Sequence, residues 1–166
     1  MVANRNILEN NKMEDQTKSK GGLNTLALYN VAFVVSNIED SIKWYDNILG
    51  FKLLMKQAIP VEKGELQMAF MEGAGMKIEM LQNSDSQLIH AIVEDSKMDA
   101  PPTVISSKAL VFQVEDLKVA TKELEDKGVE FLWKERYLAE GALFCTMALD
   151  PDNNRINIFQ SNTVIQ

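Results

Sequence analysis

Apolar and polar positions follow the same order twice along the chain. From Tyr29 to Val35 the residues are apolar and β-branched, as in a buried strand. Asn37 then offers a helix cap, and the acid Asp40 follows three residues later, near the helix's positive end. Ile38, Ile42, Tyr45 and Leu49 recur at helical spacing and form one apolar face, and Gly50 can end the helix in the left-handed conformation. Strands are predicted over 51–59, 65–72 and 76–82, with Glu72-Gly73-Ala74-Gly75 as the turn between the last two. The second passage begins with a strand from Leu110 to Val114 and a cap at Asp116. Leu117, Ala120 and Leu124 supply the helix stripe, Gly128 the stop, and 129–134, 141–149 and 155–160 the strands. Asp150-Pro151-Asp152-Asn153-Asn154 is a turn sequence, because Asp and Asn tolerate unusual backbone angles and Pro presets one.

The openings at Val35 and Val114 lie 79 residues apart and the closing glycines 78 apart. A repeat of that length predicts two copies of one β-α-β-β-β unit that complete a shared core. The fold class is α+β, with two βαβββ modules. Module one spans 27–82, a linker 83–106, and module two 107–162. Residues 1–26 are polar and rich in Asn, Lys and Glu and are expected to form a disordered tail, with Met13 as a conceivable alternative start.

Composition narrows the function classes. The 166 residues suit one domain, and the formal net charge of −7 argues against a nucleic-acid or anionic-membrane surface. No apolar run reaches the roughly 20 residues of a membrane span. The absence of a secretory h-region and the lone Cys145 make the cytoplasm the expected compartment. Cys145 reads as a small core residue and His90 as a surface or packing residue in the linker that ends near Pro101-Pro102.

The segments "SNIEDSIKWYDNILGF", "VEDLKVATKELEDKGVEF" and "DPDNNRINIF" in this repeat resemble the vicinal oxygen chelate superfamily over about residues 28–160. That family includes glyoxalase I, extradiol dioxygenases, fosfomycin-resistance enzymes and bleomycin-binding proteins. The resemblance implies that the two modules form curved mixed sheets around a cleft, with four metal-ligand positions that fall on Asn30, Glu79, Ala109 and Asn157. Only Glu79 keeps the family's side chain, so no metal and no cofactor are expected. A chain with one His and one Cys is also poorly supplied for a Zn or Fe site. A hard cation on Glu79 and the amides is the lesser alternative. The resemblance further implies a homodimer, with modules either side by side or swapped between chains.

Strand alternation turns Asn30, Ala32 and Val34, then Lys77, Glu79 and Leu81, into the cleft. In module two it turns in Ala109, Val111 and Gln113, then Arg155, Asn157 and Phe159. The helix-facing set is expected to be entirely apolar, with every polar group in the cleft. Phe131, Trp133 and Tyr137 are candidates to stack on a flat ligand, and Trp44, Tyr45 and the methionines 68, 71, 76 and 80 to pack. Two interiors remain open: a polar-centred pocket for a small organic ligand, or an ion-pair cluster of Glu79 with Lys77 or Arg155.

Three functions are weighed. The first is a metal-independent isomerase, lyase or cyclase acting beside a carbonyl. There Glu79 shuttles the proton, Asn30, Gln113 and Asn157 hold an oxygen, and Arg155 or Lys77 clamps a carboxylate. Phe159 and Trp133 complete the ligand surface. The second is a non-catalytic, bleomycin-resistance-like binder that sequesters a drug or metabolite. The third is a glyoxalase-type metal lyase with atypical ligands.

Overall fold

The computed structural model describes residues 27–62, 64–83, 109–138 and 143–161. The N-terminal tail and the linker with His90 and Pro101-Pro102 lie outside the described residues. Module one runs β1 (Val31–Val34), α1 (Ile38–Leu49), β2 (Lys52–Val61), β3 (Gly64–Gly73) and β4 (Met76–Asn83). Module two runs β5 (Ala109–Val114), α2 (Leu117–Asp126), β6 (Glu130–Leu138), β7 (Leu143–Leu149) and β8 (Arg155–Gln160). The sheets have the orders β1-β4-β3-β2 and β5-β8-β7-β6, each with one parallel pair, β1 with β4 and β5 with β8. This is the doubled βαβββ architecture that the repeat predicts.

Both helices begin and end as their sequences require. Asn37 accepts hydrogen bonds from the amides of Glu39 and Asp40 at 3.0 and 3.2 Å, and Asp116 accepts one from Val119 at 3.1 Å. Gly50 and Gly128 both sit at φ +75°, where a Cβ would be strained, and let the chain reverse into the next strand. A second N-terminal support had no local signal. The Gln82 side-chain oxygen accepts from the Ile38 amide at 2.7 Å, and Gln160, 78 residues on, does the same for Leu117 at 2.7 Å. Each glutamine ties the end of its module's central strand to the start of its helix, satisfying a donor that the helix itself leaves unpaired.

One core underlies both helices. Val35, Ile38, Tyr45, Phe51, Met71, Ile78 and Met80 of module one join Leu117, Leu124, Ala148, Ile156 and Ile158 of module two in a single buried cluster. The ring centroids of Phe51 and Phe112 lie 6.2 Å apart across the junction. Met71 and Met80 are core, Met76 packs at its edge, and Trp44 lies edge-on to Tyr45.

The helix side is not purely apolar, which corrects the sequence reading. The Thr121 and Thr146 hydroxyls pair at 2.9 Å, Ser41 is buried, and the fully buried Tyr45 donates its hydroxyl to Asp150 at 3.0 Å. Asp150 also accepts from the Asp152 and Asn154 amides and the Asn154 side chain at 2.8–2.9 Å. Asp152 in turn accepts from the Ser36 amide at 3.1 Å. The turn recognised for its backbone chemistry therefore also joins the modules.

Candidate functional site

The candidate site lies on the faces of the two sheets that turn away from the helices, together called the open face. Strand register fixes its membership. Ile78 and Met80 in β4 and Ile156 and Ile158 in β8 belong to the core, so Lys77, Glu79 and Leu81, and Arg155, Asn157 and Phe159, project the other way. Their β1 and β5 neighbours on that face include Ala32 beside Glu79, Val34 beside Leu81, Ala109 beside Arg155 and Val111 beside Asn157. Val34 and Val111 are 58% and 59% exposed, so this face is accessible along both edge strands.

At the centre of module one, Asn30 donates its side-chain amide to Glu79 Oε2 at 2.8 Å, and both residues are half-buried. No second hydrogen bond reaches Glu79 from a described residue, which leaves its other oxygen available. The expected ion-pair alternative is not formed. Among the described residues the ion pairs involve Lys43, Lys52, Lys56, Lys122 and Lys134, never Glu79, Lys77 or Arg155. Lys77 instead faces Glu72 across the β3–β4 ladder.

Module two differs at the matching positions. Arg155 is 8% exposed, and the Asn157 side-chain oxygen is buried without a hydrogen-bond partner. Phe159 lies between Gln113 of β5 and Cys145 of β7 in the register. Cys145 is buried as expected, but on the open face, with Sγ 3.8 Å from the Arg136 carbonyl oxygen; burial pushes its thiol above the usual range. Trp133 pairs in register with Met147 and so joins this face, and the Arg136 guanidinium lies 5.6 Å from its ring centre. Phe131 packs on the core instead, and Tyr137 stacks on Phe144 with centroids 4.5 Å apart.

Sequence reasoning missed Arg136. An irregularity between Trp133 and Arg136, with Glu135 at φ +48°, brings both residues onto one face despite their odd spacing. The Thr146 hydroxyl accepts the Glu135 amide at 3.0 Å at this irregularity. A shallow groove of about 320 Å³ beside Trp44, Ile48 and Pro151 lies against α1 and shares no residue with the open face.

The residues at the four ligand positions do not fit a Zn or Fe centre. Ala109 has no donor atom, Asn30 points N–H groups at Glu79, and Asn157 offers one neutral oxygen. No three His, Cys, Asp or Glu side chains come together among the described residues.

A model of the Glyoxalase/Bleomycin resistance protein/Dioxygenase superfamily matches residues 27–158. No curated protein sequence matches the chain. Among solved structures, a glyoxalase family protein from Enterococcus faecalis superposes with TM-score 0.64 at 20% identity, over 80% of this chain and 96% of that one. The genomically encoded fosfomycin resistance protein from Listeria monocytogenes gives 0.57 at 15%, over 81% and 92%. Glyoxalase I from Zea mays gives 0.57 at 19%, with 79% of this chain covering 43% of the maize chain. At these identities the likeness establishes the fold. No helix among the described residues is long and apolar enough to cross a membrane.

Proposed function

This chain belongs to the Glyoxalase/Bleomycin resistance protein/Dioxygenase superfamily, and we propose that it binds a small organic molecule on the open face and moves a proton beside a carbonyl without the family's metal. The observation that carries this reading is the Glu79 carboxylate, half-buried and held through one oxygen by Asn30 at 2.8 Å. The amide fixes the group's orientation and leaves the second oxygen to take a proton from a carbon next to the ligand carbonyl. As that C–H bond breaks, its electron pair moves to the carbonyl oxygen. The resulting enolate takes the proton back from Glu79 at the same carbon, giving exchange. Where that carbon carries a hydroxyl, the enediolate takes it at the former carbonyl carbon while the hydroxyl proton passes to the old carbonyl oxygen, giving isomerisation. The Asn157 and Gln113 amides are candidates to donate to the enolate oxygen.

The second reading is sequestration of a bulky apolar compound, favoured by the exposed Val34 and Val111 beside the polar centre. Both readings include a homodimer, because the outer strand β2 exposes Leu53, Leu54, Met55 and Val61. The deciding experiment screens carbonyl metabolites by thermal shift and follows each binder in D2O by NMR. Proton transfer predicts deuterium entering beside the carbonyl. Glu79→Gln slows that exchange by about 10²–10⁴-fold while keeping the thermal shift. Binding without exchange in the wild type refutes catalysis and leaves sequestration.

A further inference from the structure

The two modules differ in how their polar open-face residues are satisfied. Lys77 in module one is only half-buried, with the exposed Glu72 as its register neighbour and no ion pair between them, and Glu79 has the Asn30 amide. The corresponding neighbours in module two are apolar: Leu149 lies opposite Arg155 on one side and Ala109 on the other. Asn157 has Met147 and Val111 in the same places. Module two thus buries a permanent cation at 8% exposure and an amide oxygen with no donor, and no described carboxylate pairs with the guanidinium.

A nearly enclosed guanidinium without a counter-charge is unfavourable, and an unpaired buried amide oxygen adds to that cost. Such groups persist where something outside the chain satisfies them. We infer that Arg155 and Asn157 form the anchoring subsite for a carboxylate that carries a hydroxyl or amine donor close by. The carboxylate accepts the guanidinium's paired N–H groups, and the neighbouring O–H or N–H donates to Asn157 Oδ1. Alternate residues on a strand stand about 6.6 Å apart, a span that two converging side chains close onto adjacent atoms of one ligand. Module two therefore holds the ligand, while Glu79 of module one stays free for chemistry. This inference rests on the open face being the ligand-binding face, and it assigns the anion to Arg155 and not to Lys77, which is only half-buried.

The experiment measures binding of phenyllactate, its uncharged amide and 3-phenylpropanoate by titration calorimetry, with a panel of matched aliphatic acid–amide pairs alongside. The wild type is expected to bind acids at least tenfold tighter than their amides, and phenyllactate several-fold tighter than the analogue without the hydroxyl. Arg155→Met removes the preference, so that acid and amide bind alike. The ligand-free Arg155→Met protein melts at or above the wild-type temperature, because an unpaired buried charge has been removed. Lower melting of Arg155→Met, restored by Arg155→Lys, reveals a structural partner and overturns the inference. Equal binding of acids and amides overturns the subsite but leaves the ligand face standing. Failure of every pair to bind overturns both.

Discussion

Tyr45→Phe removes one hydroxyl from the junction between the modules and little else. The ring keeps its neighbours Trp44, Phe33 and Phe51 at centroid distances of 5.1, 5.8 and 6.0 Å. Asp150 keeps the Asp152 and Asn154 amides and the Asn154 side chain. The loss is one buried hydrogen bond to a carboxylate, worth about 2 kcal/mol at neutral pH. Burial holds the Asp150 carboxyl above its ordinary 3.8, while its hydrogen bonds, Tyr45 among them, pull it down. Burial and the charge of Asp150 push the Tyr45 hydroxyl well above its ordinary range, so it stays a donor.

A carboxyl raised in the fold contributes stability that is complete below its unfolded value and is lost as pH rises through its folded value. Removing the tyrosine raises Asp150 further and deepens that loss. The variant's deficit therefore grows from about 1 kcal/mol near pH 4, where a neutral carboxyl loses an ordinary bond, to about 2 kcal/mol at pH 7. Urea unfolding at both pH values measures it, and the melting point at pH 7 falls by roughly 4–8 °C. A deficit under about 0.5 kcal/mol at pH 7, or one that does not change with pH, refutes the claim that a charged Asp150 is held by this hydroxyl.

Gly73→Ala places a Cβ 2.7 Å from Phe51 Cγ, and the ring is locked in the core. The expected cost is about 1–3 kcal/mol by chemical denaturation, and an unchanged midpoint shows that the ring has room to move. Light scattering of the purified chain is expected to give the mass of two copies, and a monomer at micromolar concentration rules out the homodimer.

Much of the fold was legible because its signals are local. Asn37 and Asp116 each cap the helix that follows, Gly50 and Gly128 take the one backbone region that favours glycine, and strand alternation sorted Glu79 and Arg155 from Ile78 and Ile156. The same alternation overstated the contrast between faces. Gln82 and Gln160 continue the helix-facing parity, yet serve as remote caps for Ile38 and Leu117. Tyr45 read as one more apolar stripe residue, because a pattern of side chains does not show where a hydroxyl ends.

The repeat, the two helices, the strand order within each passage and the absence of a His-rich ligand set follow from the sequence, since each depends on residues near one another along the chain or on composition. Partnership depended on tertiary structure. The fold gave Glu79 the Asn30 amide, left Arg155 and the Asn157 oxygen without partners among the described residues, swung Arg136 over Trp133, and set Asp150 beneath Tyr45. A buried polar group's energy is set by what lies within about 3 Å of it, and residues 49 or 105 positions apart come that close only when the sheets and helices have packed.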